Sequence, residues 1–176
     1  MIWDRPLALF LDVDGTLLDI SRRPEDVVVP SDLRPMLEST SEALEGALAL
    51  VSGRSLADLD GLFAPLRLAA SGQHGIELRL EPEGETAVMA ARPVDATLRE
   101  AVEALAHKHP GVEIEDKGMS LAVHYRAAPQ LGGPLARDLR RLLAREGTEI
   151  ALCRGKKVFE LRDARYTKAS AVEALV

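Results

Sequence analysis

The chain has 176 residues, 47% apolar and 28% charged, which fits one globular domain, or one carrying a smaller one, and excludes a disordered chain. Its formal charge of -6, from 22 basic and 28 acidic residues, offers no basic field to nucleic acid or anionic lipid, so any anionic ligand must be held by local donors. A single cysteine, Cys153, excludes an intrachain disulfide; "MIWDRP" has no leader-like pattern and no apolar run approaches ~18 residues, so the expected compartment is the cytoplasm.

"LALFLDV" reads as a fully buried strand ending near Asp12, because its apolar residues do not alternate with polar ones. Residues 20–32 form a polar connection. A helix is predicted from about Ser31, with Leu33, Met36, Leu37, Thr40 and Leu44 on one stripe. "GALALV", residues 46–51, is a second buried strand followed by "SGRS", where Ser55 can cap a helix facing inward with Leu56, Leu59 and Phe63. "LRLAAS", residues 66–71, is a third strand, ending in the turn "SGQHG". Strand, helix, strand, helix, strand predicts a parallel α/β sheet, in which ligands collect at the carboxyl ends of the strands.

The texture changes after residue 80. "LEPEGETAVMAARP" reads as a turn-rich hairpin or linker, and a helix from about Pro93 to Ala106 faces inward with Val94, Leu98, Ala101, Val102 and Leu105. "GVEIEDKG" and "MSLAVHYR" read as antiparallel strands joined at Lys117-Gly118. A helix over about 131–146 stops at Gly147, and "EIALCR" and "KKVFEL" pair around Gly155-Lys156. The expected organisation is a core over 1–84, an α+β unit over 85–162, and a return to the core over 163–176 with a loop and the start of a helix.

The chemistry starts at Asp12 and Asp14. Side chains alternate along a strand, but where the backbone turns at its end both carboxylates can converge on one point in the crevice. Gly15 permits a tight turn, and Thr16 offers a hydroxyl and a backbone N–H to an anion. Such a cluster suits Mg²⁺ bridging to a phosphate, with one aspartate as nucleophile and the other as acid and base. A plain Asx-turn needs only one aspartate. Ser52 follows the second strand onto the same rim, where its hydroxyl and the next N–H groups can bind a phosphoryl oxygen; Gly53 admits the backbone and Arg54 adds a planar charged fork. "SGR" alone would pass for a helix cap, and His74, after the third strand, for a turn histidine bonded to backbone. Lys168 sits among small residues at a helix start, where a crevice holding two aspartates and a phosphate needs a cation.

In the second unit Glu115, Lys117, His124, Tyr125, Arg126, Lys156 and Glu160 lie on or beside the strands, and Glu115 and Lys117 point to one face. A solvated sheet face has the same composition. Facing a phosphate crevice, these donors and acceptors suit a polyhydroxylated substrate such as a sugar.

"LFLDVDGTL" resembles the first motif of the haloacid-dehalogenase-like (HAD) phosphohydrolases, and "LVSGR" their second. Within that superfamily the chain is most similar to the trehalose-6-phosphate phosphatases, through "VSGRS", "ASGQHGIELR", "IEDKGMSLAVHYR" and "GKKVFELRDARYTKASAVEAL". The resemblance implies an α/β fold, a HAD-like Rossmannoid parallel sheet core with an inserted α+β cap. It also implies an Mg²⁺-dependent hydrolase of trehalose biosynthesis, with Asp12 and Asp14 at the metal. Asp12 would attack phosphorus and form an aspartyl-phosphate, while Asp14 would protonate the sugar oxygen and then activate water. Ser52 and Lys168 match the phosphate-binding hydroxyl and lysine of the second and third motifs, with Thr16, Arg54 and His74 beside them. Glu115, Lys117, Arg126 and Glu160 match cap residues that hold the glucose units.

Two departures stand out. Ala169 follows Lys168 where the family usually has glycine, and the fourth motif, a strand ending in Gly-Asp-Asp, is absent. The core is therefore read as incomplete, short of one metal-fixing aspartate, with "LALFLDV" left as a sheet edge. Alternative readings are another sugar-phosphate phosphatase, or an impaired fragment that binds sugar phosphate without turnover. A bare apolar edge implies self-association, a further C-terminal segment that covers it, or "KASAVEALV" folded back over it as a helix.

Overall fold

The computed structural model describes residues 7–21 and 26–176; "MIWDRP" and residues 22–25 of the 20–32 connection lie outside the described residues. The chain divides into two units, Met1–Ala90 with Tyr166–Val176, and Ala91–Arg165.

In the first unit the apolar run ends in strand β1 (Leu9–Asp12), which is half-buried and not fully buried as read from the sequence, because it lies at the edge of its sheet. Helix α1 (Leu33–Ala43) buries Leu33 and Leu37. Met36 is 54% exposed, a correction to the predicted stripe: at about 100° per residue it falls about 60° from Leu33 on the side away from Leu37, which is about 100° from it. Strand β2 (Leu48–Val51) is buried throughout, and helix α2 (Leu56–Phe63) opens on a capping box in which the Ser55 hydroxyl accepts from the Asp58 N–H. Strand β3 (Ala69–Gly72) leads through a 3₁₀ turn, Gln73–Gly75, to β4 (Glu77–Arg79), and later to β5 (Ala87–Val88). The sheet order is β1-β2-β3-β4-β5. The first three strands are parallel, with Asp12 beside Val51 and Val51 beside Ser71, and the last two are antiparallel.

The parallel part agrees with the reading, and the hairpin read as one alternative for "LEPEGETAVMAARP" holds the turn and β5, whereas β4 was not expected. Strand β4 is short and ends in Arg79, which reads as surface, yet Arg79 is fully buried. It donates to both Asp60 oxygens at 2.7 Å and to the Leu68 carbonyl at 3.1 and 3.0 Å. A charge is tolerated there because it is paired and bonded on every side.

The second unit is helix α3 (Ala96–Ala106), strands β6 (Glu113–Asp116) and β7 (Leu121–His124), helix α4 (Gly132–Glu146), and strands β8 (Ile150–Arg154) and β9 (Val158–Asp163). Asp95 caps α3, so Pro93 and Val94 precede the helix, although Val94 is still buried. The strands form one antiparallel sheet in the order β6-β7-β9-β8. Leu98, Val102, Leu135 and Leu139 of the helices pack with Leu121, Val123, Phe159 and Leu161, leaving the alternate strand positions for polar side chains. The Arg92 N–H donates to Asp163 at 2.8 Å, tying the two ends of the unit together.

Helix α5 (Lys168–Leu175) returns to the first unit with a capping box between Thr167 and Ser170. It packs against β2, β3 and the Gln73–Gly75 turn with Ala171 buried. Strand β1 remains outermost in its sheet, hydrogen-bonded to β2 alone among the described strands.

Candidate active site

Parallel strands present their carboxyl ends on one rim, so the segments after β1, β2 and β3 meet there. Val13 is 0% exposed and points into the core, which sends its neighbours Asp12 and Asp14 out together on the other side. The turn beyond is closed by the N–H groups of Thr16, Leu17 and Leu18, all donating to the Val13 carbonyl at 3.3, 3.0 and 3.0 Å, with Gly15 at φ +88°. The Thr16 N–H, read above as an anion donor, is thus already bonded, and Thr16 itself is exposed.

Each aspartate meets a cation. Arg54 grips Asp14 with both arms of its fork, Nε 2.9 Å from Oδ2 and Nη2 2.7 Å from Oδ1. Lys168, at the first position of α5, ion-pairs with Asp12 Oδ1. Ser52 is buried, and its hydroxyl accepts from the Arg54 N–H at 3.1 Å, so the residue read as a phosphate ligand also shapes its own loop. The His74 N–H donates to the Ser52 carbonyl at 2.9 Å. Its ring lies against Gly53, where a Cβ would stand 2.5 Å from Nε2, so a side chain there would displace the ring. Asp12, Asp14, Ser52, Arg54, His74 and Lys168 therefore form one cluster. Sequence reasoning missed Gln73 and Glu77 beside it, where Glu77 accepts from the Leu56 N–H and from the Gln73 amide. The only signal was a carboxylate two residues after "HG".

The predicted sugar-binding residues lie in the other unit. Register places Glu115 beside Ala122 and Ala122 beside Glu160, so the two residues share one sheet face with their Cα atoms about 10 Å apart. Glu115 bonds the His124 ring at 2.9 Å, while Glu160 is buried near Ser120 and Arg162. Lys117 and Arg126 are half-buried beside the strands. Lys117 lies in the β6–β7 turn, which Arg99 pins by ion-pairing with Asp116 and donating to the Gly118 carbonyl.

Three carboxylates are held below the usual range. Hydrogen bonds from Arg79 lower Asp60, and those from Arg99 lower Asp116. The Arg165 guanidinium, with the N–H groups of Arg92 and Arg165, lowers Asp163 despite its burial.

The protein ligands implied for Mg²⁺ are the Asp12 carboxylate and the Asp14 backbone carbonyl, two of the six oxygens it needs. As the side chains lie, Lys168 takes one Asp12 oxygen and Arg54 both oxygens of the Asp14 carboxylate. No group of three or more histidine, cysteine, aspartate or glutamate side chains suited to a metal forms among the described residues.

The family model for trehalose-phosphatase matches residues 10–176. The chain belongs to that family. It is 42% identical over 169 residues to a "probable trehalose-phosphate phosphatase" of Sinorhizobium fredii, and 37% identical over 174 residues to the trehalose-6-phosphate phosphatase of Escherichia coli. Each alignment takes in 96% of this chain and 63% of the relative, so the chain spans just under two thirds of their length. Among solved structures it matches the C-terminal domain of the Candida albicans trehalose-6-phosphate phosphatase with a TM-score of 0.83 and 27% identity, over 97% of this chain and 62% of that one. The mixed α/β core with a separate β-sheet cap is the fold of the haloacid-dehalogenase-like proteins. No helix among the described residues is long and apolar enough to cross a membrane.

Proposed function

We propose that the chain carries the phosphoryl-transfer centre of a trehalose-6-phosphate phosphatase. The observation that supports it most is the meeting of Asp12, Asp14, Ser52, Arg54 and Lys168 on one rim of a parallel sheet. In this reading an Asp12 oxygen attacks phosphorus and the bond from phosphorus to the sugar oxygen breaks, the leaving oxygen taking its proton from Asp14. Water then attacks the aspartyl-phosphate, gives its proton to Asp14 and releases phosphate.

Lys168 screens the charge on Asp12 from the incoming phosphate and stays to hold a phosphoryl oxygen, with Ser52 beside it. To carry a proton, Asp14 must be let go by the Arg54 fork, and phosphoryl oxygens are the acceptors that can draw that fork away. Binding would thus free the acid and clamp the phosphate in one movement. Glu115, Lys117, Arg126 and Glu160 would recognise the sugar. Mg²⁺ is the cofactor the resemblance implies, with Asp12 and Asp14 as its protein ligands; no step above runs through it.

A second reading is a sugar-phosphate-binding chain without turnover, favoured by the cations that occupy both aspartates. Phosphate release from trehalose 6-phosphate, measured beside calorimetric binding, separates the two. Turnover supports the first, and binding without release supports the second. Release from small phosphomonoesters alone would point to a different sugar-phosphate phosphatase. We infer further that the outer edge of β1 is covered in the working protein by another strand, from a longer product or a second copy. Sedimentation as a stable, soluble monomer of this chain would count against it.

A further inference from the structure

We propose that Glu77 is a positioning residue of the phosphoryl site, locking the loop after β2 to the turn after β3 so that Ser52 and Arg54 stay aimed at the aspartates. The proposal rests on the phosphatase reading above. Glu77 opens β4, away from the two aspartates, and its carboxylate accepts from two donors at once. Oε2 takes the Leu56 N–H at 2.6 Å, where the "SGRS" loop enters α2. Oε1 takes the side-chain amide of Gln73 at 2.7 Å, in the turn after β3.

Between these two ends the loops are laced by their backbones. The Gln73 N–H donates to the Arg54 carbonyl at 2.8 Å, and the His74 N–H to the Ser52 carbonyl at 2.9 Å. For those donors to face the other loop, Gln73 and His74 adopt φ of 46° and 57°, two successive left-handed residues that are not glycine. Such a conformation costs free energy and persists only where its surroundings over-determine it. Glu77 supplies that constraint by tying the Gln73 side chain to the start of α2.

Gly72 shows how closely the clasp shuts. A Cβ there would lie 2.7 Å from Glu77 Oε2, 2.8 Å from the Leu56 nitrogen and 3.0 Å from the Arg54 carbonyl oxygen, so any side chain would force the two loops apart. A carboxylate suits position 77 because both neighbours are donors. Glutamine can serve as well if Gln73 turns its amide over, since Gln73 Oε1 has no hydrogen-bond partner among the described residues and can accept from the new amide. Methionine fills similar space and can accept from neither donor strongly.

The test compares Glu77→Met and Glu77→Gln with the unaltered chain in two measurements, under conditions where each is folded. In backbone hydrogen exchange, Glu77→Met lowers protection at Gln73 and His74 at least tenfold along with Leu56, while Glu77→Gln stays within threefold. In turnover of a small aryl phosphate, Glu77→Met lowers kcat at least tenfold, trehalose 6-phosphate suffers the same proportional loss, and Glu77→Gln restores most of the rate.

Loss of protection confined to Leu56 and the first turn of α2 would reduce Glu77 to a helix cap and overturn the proposal. So would a Glu77→Met kcat within twofold of the unaltered chain. If the unaltered chain releases phosphate from no phosphomonoester, it is the phosphatase reading that fails, and the exchange measurement still decides whether Glu77 ties the loops. Gln73→Leu cuts the same tie from the other end should Glu77→Met not fold, with the same losses expected at His74.

Discussion

Replacing Arg54 by lysine keeps the charge of the site and removes its geometry. Arg54 holds Asp14 through two parallel donors at 2.9 and 2.7 Å, a planar match that a point ammonium cannot reproduce. The substitution therefore removes about one charge-assisted hydrogen bond, worth ~1.5–3 kcal/mol where water is excluded. The Asp14 side chain is 37% exposed, so solvent recovers part of this, and about 1.4 kcal/mol, or tenfold in rate, is the expected net. In the proposed reaction the Asp14 bond must break before chemistry, so weakening it alone would favour turnover. The roughly tenfold loss is that of one arm of the fork on the phosphoryl group it passes to, net of this gain, and it falls on kcat/KM for every phosphomonoester alike. Initial rates of phosphate release over a range of concentrations, with thermal melting as a control on folding, measure it. Arg54→Lys turning over within twofold of the unaltered chain, on both trehalose 6-phosphate and an aryl phosphate, would show that the Arg54–Asp14 pair takes no part in the reaction.

Lys117→Ala and Glu160→Gln should raise KM for trehalose 6-phosphate by about tenfold or more, at ~1.5–3 kcal/mol for one charge-assisted bond, and leave an aryl phosphate nearly unchanged. Equal losses on both substrates would assign these residues to folding or cap closure. Asp163→Asn should destabilise the chain by ~1–3 kcal/mol at pH 7, because Asp163 accepts from Arg165 and from two backbone N–H groups while buried. Its folded-state pKa is depressed, so this stability is fully present above the unfolded value near ~4 and is lost as pH falls through the folded value; the gap between variant and parent in thermal melting should narrow below about pH 4. A gap that widened on acidification would refute that sign. Lys168→Ala should bind Mg²⁺ roughly threefold or more tightly in calorimetry without phosphate, since a cation beside Asp12 is gone, and should bind inorganic phosphate more weakly. Unchanged Mg²⁺ affinity would mean that the ion does not use Asp12.

Strands β2 and β3 were legible because burial on both faces leaves unbroken apolar runs, whereas β1 shows the same run while only half-buried at the sheet edge. "DVDGT" and "SGR" were legible because their polar residues follow such runs at once. Strand β4 was not, and β5 only as part of a hairpin or linker. They pair antiparallel with β3 and with each other, one ends in the paired, buried Arg79, and the other is two exposed residues with no alternation to read. The pattern also placed the helix stripes to within a residue or two, failing at Met36 on the edge of one and at Val94, which is buried just ahead of its helix. In the site, residue types and order pointed to the rim, but pairing could not be read from them. That Arg54 holds Asp14 and Lys168 holds Asp12, and that the Thr16 N–H is spent on its own turn, depends on where the loops pass in space. Glu77 was hidden for the same reason, because its two partners come from separate loops.

The central claim is that Asp12 is the nucleophile of a phosphatase acting on trehalose 6-phosphate. The most direct measurement is phosphate release from that substrate by the unaltered chain and by Asp12→Asn, each shown by thermal melting to be folded. The amide keeps the shape of the side chain and loses the attacking oxygen's charge, so the account predicts release by the unaltered chain and a rate lower by orders of magnitude in the variant. Equal rates from the two proteins would contradict it.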